Sequence, residues 1–355
     1  MRAFEPHPWL KSGHLQTMAG SFLRREFCVP VAEERLFRVD AETQLKGLCH
    51  WHREGPEGSQ TRAVRSEDRP LHNVRRDLPV IVTVHGLEGS CDSNYAMGIA
   101  DKAYARGFHA VRMNQRNCGG TERLTPTLYN SGLSGDYRAV LLELIGEGFA
   151  QVYFAGYSMG GNLVMKMAGE LGEHAPKELR GVAAVCPAMD LAACADALER
   201  TENFLYERHF VKGLLQRYRR KVELFPERYS KNGFGRVRTV REFDDAITAP
   251  AFGYKDAQEY YEAAGAKKVI GQARVPILLM TAQDDPFVPY ESFLRAKVTE
   301  NPNVNLVAPQ YGGHCGFVSR YRGEERFWAE ERIVEFVERR SNEVTKQGSK
   351  EARRD

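Results

Sequence analysis

The sequence predicts an α/β fold in which helices flank a mostly parallel central sheet and a helical cap is inserted. Three observations lead to this prediction. Short apolar runs alternate with longer segments of helical periodicity, and a Gly-x-Ser-x-Gly turn joins one run to the next helix. A segment of about 85 residues then separates two of the apolar runs.

The alternation covers most of the chain from residue 79 onward. Runs rich in Val, Ile and Leu are predicted as buried strands at 79–85, 108–113, 151–155, 181–186, 276–280 and 304–307. Segments with helical spacing lie at 94–106, 136–146, 159–171 and 327–337. Near-continuous apolar strands that alternate with helices are typical of parallel strands covered on both faces.

The alternation of apolar runs with helical segments stops after Pro187, where aromatic and basic residues dominate a partly helical segment. We expect an insertion that caps the carboxyl edge of the sheet, where open α/β sheets bind their ligands. A surface loop rich in Gly, Ser and charged residues is predicted at 54–78. The predicted division is a first part of the core, a cap, a second part of the core and a polar tail, at 1–187, 188–270, 271–342 and 343–355.

The composition describes a globular chain with balanced charge. Of 355 residues, 42% are hydrophobic, and 50 Lys and Arg against 47 Asp and Glu give a net charge of +3, so no overall field attracts nucleic acid. The seven cysteines form no Cys-x-x-Cys pair, so neither a zinc site nor a disulfide framework is predicted, and a reducing cytoplasm is expected. The amino-terminal residues predict no secretory signal, and no apolar run predicts a membrane span.

The sharpest chemical signal is Gly156-Tyr157-Ser158-Met159-Gly160. In a nucleophile elbow, a serine stands on a strained turn between a strand and a helix, and small glycines let the two backbones approach closely. The bare pattern also arises by chance in turns. Here it follows a predicted strand and begins a predicted helix, which is the context that the elbow requires. Ser158 is therefore predicted as a nucleophile.

A serine needs a base to remove its proton. His314 follows the last predicted strand and lies in the glycine-rich segment 311–316, which suits a loop that carries an imidazole to the site. The alternative is an ordinary surface-loop histidine. Among the ten histidines, His314 alone combines the late position with the glycine setting.

The imidazole in turn needs a carboxylate that fixes its tautomer. Asp284 and Asp285 directly follow the predicted strand 276–280, and the order Ser, Asp, His is that of α/β-hydrolases. Asp285 is predicted as the acid because it stands directly before the proline of this turn. Asp284 stays open as the alternative, with turn capping as its other role.

Two backbone N–H groups are needed to hold the oxyanion of a tetrahedral intermediate. Met159, directly after the nucleophile, is predicted to supply one of them. Leu87 is predicted to supply the other, because the loop His85-Gly86-Leu87 after the first apolar run is related to the His-Gly-Gly type of oxyanion loop. His85 itself is interpreted as a scaffold residue rather than a catalytic one.

The similarity to known proteins extends over about residues 8–340. Its motifs are Gly-His-Leu-Gln-Thr at 13–17, Gly-Tyr-Ser-Met-Gly-Gly-Asn at 156–162, Tyr206, His209-Phe210, Tyr260-Tyr261, Asp-Asp-Pro-Phe at 284–287 and Gly-Gly-His at 312–314. In these the chain resembles the YheT-like branch of the α/β-hydrolases, a group of esterases related to yeast medium-chain ethyl-ester synthase/esterases and to mammalian lipid-directed members. The resemblance implies that Ser158, Asp285 and His314 form the triad.

Two segments depart from the family pattern. The chain has Arg-Asn-Cys-Gly-Gly at 116–120 where the family often has Arg-Gly-Cys, and Tyr-Asn-Ser-Gly at 129–132 where it often has Tyr-His-Ser-Gly. Both lie in a long loop that we expect to line the pocket, so a relative's substrate preference does not carry over to this chain.

The predicted cap is basic and aromatic. Residues 205–242 contain 11 Lys or Arg against 4 Asp or Glu, interleaved with Phe, Leu and Tyr. A basic amphipathic helix can lie on an anionic lipid surface, whereas the plainer interpretations are a cap helix with a solvated basic face or an oligomer contact. A lid of aromatic and leucine side chains suits an acyl chain.

These observations predict a serine carboxylesterase or lipase-like enzyme for short- to medium-chain acyl esters. An acyltransferase or ester synthase would use the same triad, and a non-catalytic binding protein on this scaffold is the alternative outside enzymes. The chemistry needs neither a metal nor an organic cofactor. The expected partner is a small ester, for which a lipid-like molecule is one candidate. No nucleic acid is expected, and the oligomeric state stays open.

Overall fold

The computed structural model describes residues 2–55, 71, 73–230 and 236–351. Most of the predicted loop 54–78 lies outside the described residues, as do positions 231–235 of the basic segment and positions 352–355 of the predicted tail.

One eight-stranded sheet forms the centre of the described chain, in the order β1-β2-β4-β3-β5-β6-β7-β8. The strands are β1 Glu33–Arg38, β2 Gln44–His50, β3 Val80–Val84, β4 His109–Met113, β5 Val152–Tyr157, β6 Leu179–Val185, β7 Ile277–Met280 and β8 Val304–Val307. Strands β3 to β8 pair in parallel, and β1 and β2 add an antiparallel edge. The predicted mostly parallel sheet is confirmed.

Strands β1 and β2 have no counterpart in the sequence predictions. In β1 only Leu-Phe at 36–37 is apolar, because the strand lies at the sheet edge and its other side chains are charged. Arg35 of β1 forms ion pairs with Glu143 of a neighbouring helix and with Glu147 directly after that helix. The edge is thus held by charges as well as by apolar packing, and this leaves no continuous apolar run to detect.

Helices cover both faces of the sheet. They are α1 Gly13–Phe22, α2 Asn94–Ala105, α3 Ser134–Gly146, α4 Met159–Leu171, α5 Leu191–Leu198, α6 Phe204–Leu224, α7 Val240–Phe243, α8 Ala249–Ala251, α9 Ala257–Ala264, α10 Glu291–Arg295 and α11 Trp328–Glu351. Helices α2 and α11 pack on one face, where Ile99 and Ile333 belong to one core cluster. On the other face, α3 and α4 supply Val140 and Leu163 to a second cluster.

Two helix findings differ from or add to the predictions. Helix α11 continues to Glu351, well past the predicted end at 337, because residues 338–351 are rich in helix formers and Arg340 pairs with Glu343 one turn later. Helix α1, which was not predicted, lies near the amino terminus. Among the described residues, no helix is both long and apolar enough to cross a membrane.

Helices α5 to α9 all lie between β6 and β7. Side chains of α5, α6, α7 and α9 line one common cavity together with the loops after β3, β5 and β7, so these helices stand over the carboxyl ends of the strands. This is the place where the sequence predicts a cap, although the exact limits 188–270 stay a prediction.

Candidate active site

Ser158 stands on the sharp turn between β5 and α4. Its backbone has φ 53° and ψ −118°, a strained conformation for a residue with a side chain. A Cβ atom on Gly156 would lie 2.3 Å from the carbonyl oxygen of Gly160, and one on Gly160 would lie 2.3 Å from that of Val84. The two glycines are therefore required by the close approach of strand and helix, as an elbow demands.

His314 connects Ser158 to Asp285. Its Nε2 lies 2.9 Å from Oγ of Ser158, and its Nδ1 lies 2.9 Å and 3.1 Å from the two carboxylate oxygens of Asp285. An ionised carboxylate only accepts hydrogen bonds, so Nδ1 carries a proton and Nε2 is free to accept the hydroxyl proton of the serine. The structure thus brings the three predicted triad residues into one hydrogen-bonded series.

The two adjacent aspartates have different partners. The side chain of Asp285 is fully buried, and its Oδ1 accepts hydrogen bonds from the backbone N–H groups of Phe287 (2.8 Å) and Val288 (3.0 Å). Asp284 instead accepts a bond from the N–H of Gly313 through its Oδ1, at 2.8 Å. The carboxylate of Asp285 therefore faces the imidazole, whereas that of Asp284 bonds to the backbone beside it.

Helix α1 supports the loop that carries His314. The hydroxyl of Thr17 accepts a hydrogen bond from the N–H of His314 at 2.8 Å and donates to the carbonyl of Gly13 at 2.7 Å. The amide of Gln16 accepts from the N–H of Val318 at 2.7 Å and donates to its carbonyl at 3.1 Å. The motif at 13–17 therefore holds the backbone at His314 and at Val318, contacts that were not predicted from the sequence.

Burial and neighbouring groups shift the pKa values of two adjacent residues of the site, His314 and Cys315. Burial disfavours a charged imidazole, but attraction to Asp285 and to Cys315 outweighs it and raises the pKa of His314 well above its usual range. Burial also raises the pKa of Cys315, yet hydrogen bonding with Cys186 and attraction to His314 lower it to about 6. This thiol was not among the predicted site residues, although it directly follows His314 in the sequence.

Both predicted oxyanion donors border the same space as Ser158. Leu87 and Met159 line the cavity together with Ser158. Met159 is the first residue of α4, so its N–H has no partner within the helix. The loop of Leu87 passes close to the nucleophile, since a Cβ atom on Gly86 would lie 3.0 Å from Cβ of Ser158.

His85 is built into the loop beneath this site. Burial lowers the pKa of its imidazole to about 4, which keeps the ring neutral. One nitrogen lies 2.7 Å from the carbonyl oxygen of Gly86, and the other accepts the backbone N–H of Gln115 at 3.1 Å. Its ring thus ties two loops together, consistent with the predicted scaffold role.

Two cavities meet at Ser158 and His314. The inner one, of about 100 Å³, extends under the inserted helices. Its walls are mostly apolar and include Leu87, Met159, Leu191, Leu198, Phe210, Leu214, Phe243 and Val288. The loop residues Tyr129, Asn130 and Ser131 also line it, as expected for the departing segment 129–132. The outer groove, of about 280 Å³, runs between α1 and the start of α6.

Two side-chain groups among the described residues could bring three donors to one metal ion. One consists of Cys186, His314 and Cys315, whose donor atoms lie within 4.8 Å of one another. Both nitrogens of His314 already face Ser158 and Asp285. A metal there would compete with the hydrogen-bonded series instead of assisting it. The other group is Glu325, Glu331 and Glu335.

Comparison with known proteins identifies the family. The α/β hydrolase fold family matches residues 79–321. The protein named "Putative esterase YheT" from Escherichia coli (strain K12) is 31% identical over 338 residues, which are 94% of this chain and 92% of that protein. The chain belongs to the α/β-hydrolase fold family, and its predicted resemblance to YheT is confirmed.

Other relatives extend the comparison. Phospholipase ABHD3 of Mus musculus is 31% identical over 243 residues, covering 68% of this chain and 58% of that protein. Monoacylglycerol lipase of Saccharomyces cerevisiae is 29% identical over 295 residues, covering 80% of this chain and 64% of that protein. The esterase Pf2001 of Pyrococcus furiosus superimposes with a TM-score of 0.56 at 13% identity, covering 96% of this chain and 98% of that one. This likeness shows the fold, which agrees with the predicted α/β-hydrolase architecture.

Proposed function

We propose that this protein is a serine hydrolase that cleaves carboxylic esters of short- to medium-chain acids through an acyl-enzyme. The observation that carries the proposal is the hydrogen-bonded series Ser158–His314–Asp285 at the carboxyl edge of the sheet, with an apolar cavity beside it. The names of its relatives, which include an esterase, a phospholipase and a lipase, support an ester substrate.

Acylation follows from the proton positions. His314 Nε2 takes the hydroxyl proton as Oγ of Ser158 attacks the ester carbonyl, and Asp285 stabilises the imidazolium that forms. The N–H groups of Leu87 and Met159 hold the tetrahedral oxyanion. When the intermediate collapses, the bond to the alkoxy oxygen breaks, and the imidazolium gives its proton to the departing alcohol. The acyl group is then bonded to Ser158.

Deacylation repeats these steps with water. His314 removes a proton from a water molecule, whose oxygen attacks the acyl carbonyl. Collapse of the second intermediate releases the carboxylic acid and returns the proton to Oγ of Ser158. An alcohol that takes the place of water would give a new ester, which is the acyl-transfer alternative. The outer groove offers the space in which such an alcohol could stand.

The two cavities suggest where the acyl part and the alcohol part of a substrate lie. The inner cavity is mostly apolar and lined by leucine, alanine and aromatic side chains, so it suits the acyl chain. The outer groove has more polar walls, including Glu88, Asn94 and His209, and suits the alcohol part. The buried carboxyl group of Asp244 is the charged exception in the inner cavity, where it accepts a bond from Tyr261 at 2.8 Å.

The test is hydrolysis of p-nitrophenyl esters from acetyl to palmitoyl by the native protein and by Ser158→Ala. We expect a maximum at a short or medium acyl length and loss of that activity in the variant, with unfolding temperatures unchanged. Added ethanol distinguishes the alternative, because an acyltransferase would form mainly the ethyl ester. Absence of hydrolysis and transfer for every ester, by a folded protein, would contradict the proposal.

A further inference from the structure

Large apolar side chains are concentrated where α1 approaches the start of α6. Nine large hydrophobic residues are exposed in the described part of the chain, and six of them lie in α1, shortly before it, or in the first turn of α6. We call these six the apolar rim: Trp9, Leu15, Met18, Phe22, Phe204 and Leu205. Exposed apolar residues scattered singly are ordinary, but such a concentration indicates an interaction surface.

The apolar rim extends from α1 to the start of α6. Leu15, Met18 and Phe22 follow the i, i+3, i+7 spacing and therefore share one side of α1. Helix α1 reaches α6 through His14 and Tyr206, whose rings stack with centroids 5.7 Å apart. Phe204 and Leu205 directly precede Tyr206 in the first turn of α6.

Part of the apolar rim borders the entrance to the candidate active site. The outer groove is lined by Met18 and Phe22 from α1 and by Tyr206 from α6, and it leads to Ser158 and His314. A surface that covered the apolar rim would therefore lie directly over the groove. A partner that also supplies substrate could pass it inward without release into water.

The side of α6 that carries Leu205 is also basic, and we call it the basic face of α6. Arg208 and Lys212 are exposed on the same side of the helix as Leu205, at spacings of three and seven residues. Of the two glutamates in α6, Glu207 is buried and Glu223 lies in the last turn. Apolar side chains thus stand beside cations, which is the combination that suits the acyl and phosphate layers of an anionic lipid surface.

We propose that the apolar rim and the basic face of α6 dock this protein on an anionic lipid bilayer, with the outer groove facing the lipid. The apolar side chains enter the interface, and Arg208 and Lys212 meet the headgroup phosphates. This docking goes beyond the proposed ester hydrolysis and does not require Ser158 to react, so binding and hydrolysis are tested separately.

The first test is co-sedimentation of the full chain with vesicles of phosphatidylcholine and phosphatidylglycerol. The rim variant combines Trp9→Ser, Leu15→Ser and Leu205→Ser, none of which touches the groove. We expect its vesicle partitioning to fall by about tenfold or more, because three apolar anchors are lost. The matched control combines Leu142→Ser and Leu294→Ser, exposed leucines outside the apolar rim, and should bind like the native protein.

A second variant tests the charges. Arg208→Glu with Lys212→Glu should lower partitioning to the mixed vesicles by about tenfold and leave binding to phosphatidylcholine alone unchanged. Lys268→Glu with Arg274→Glu reverses two exposed cations elsewhere and should have a much smaller effect. Added salt should weaken binding of the native protein, since exposed charges are screened.

Three results would overturn the proposal. The first is an absence of vesicle binding by the native protein, and the second is equal binding by the rim variant and its leucine control. The third is a dimer, seen by light scattering, that the rim variant dissociates, because a second copy would then cover the rim. Hydrolysis of p-nitrophenyl acetate by each variant reports on ester chemistry independently, so a failure of docking is distinguishable from a failure of the proposed function.

Discussion

At the scale of single residues, the two aspartates after β7 offer the sharpest distinction. Asp285 contacts the imidazole of His314, whereas Asp284 accepts a backbone N–H from Gly313. We expect Asp285→Asn to lower kcat by about 10⁴-fold, because the imidazole then loses the partner that fixes its tautomer. In Asp284→Asn the amide oxygen can still accept the N–H, so kcat should fall by less than about tenfold.

Steady-state kinetics on one p-nitrophenyl ester would compare the two variants, with thermal unfolding as the check on folding. The opposite ranking, with Asp284→Asn the more damaging, would mean that the acid was assigned to the wrong carboxylate.

The position of Cys315 beside His314 leads to a prediction about how activity depends on pH. Its attraction to His314 helps to raise the pKa of the imidazole, and only the neutral imidazole acts as a base. Activity should therefore rise with pH through a limb above the ordinary histidine value of 6.5. In Cys315→Ser the attraction is lost, so the pKa falls and the limb moves to lower pH.

Profiles of kcat/KM against pH would measure this shift, with Cys28→Ser as the control because Cys28 is exposed. A limb that stays in place or moves to higher pH would show that Cys315 does not tune His314.

At the scale of elements, α1 is the piece whose importance is least visible in the sequence. Thr17 and His314 are 297 positions apart, so no local pattern reveals their hydrogen bond. The nucleophile elbow could be predicted because strand, turn and helix are contiguous around Ser158. Strand β1 could not be predicted in this way, because its charged and apolar residues form no recognisable pattern. What stabilises this strand is its pairing with β2 and the ion pairs of Arg35.

Removal of this contact should reduce both stability and rate. We expect Thr17→Val to lower the free energy of unfolding by about 1–3 kcal/mol, since it leaves buried polar groups unpaired. It should also lower kcat by about tenfold through misplacement of the imidazole. Thr17→Ser keeps the hydroxyl and should restore most of kcat. Ser21→Ala removes a similar bond within α1, to the carbonyl of Thr17, and is the matched control.

The inserted helices should set the accepted acyl length. Leu214 of α6 lines the inner cavity, so Leu214→Phe should shift the ester maximum toward shorter chains and Leu214→Ala toward longer ones. Gln216→Ala, on the exposed side of the same helix, should leave the profile unchanged. If both Leu214 variants keep the native profile, the acyl chain does not occupy this cavity.

At the scale of the whole molecule, the carboxyl edge of one sheet gathers groups from distant parts of the chain. The loops after β5, β7 and β8 carry Ser158, Asp285 and His314 respectively. These three residues could be predicted from the Gly-x-Ser-x-Gly turn, the glycine-rich setting of His314, the proline after Asp285 and their order along the chain. Parallel strands bring their carboxyl ends to one edge, which is why residues so far apart in sequence can meet. The cavity walls and the apolar rim depend on how α1 and α6 meet, and this required the structure.

The central claim is that Ser158 becomes acylated, and trapping the acyl-enzyme tests it most directly. The protein would be mixed with p-nitrophenyl butyrate, quenched in acid within the first turnovers, digested and analysed by mass spectrometry. We expect a butyryl group on the peptide that contains Ser158 and none in Ser158→Ala. Rapid hydrolysis with the label on another residue, or undiminished hydrolysis by Ser158→Ala, would contradict the account.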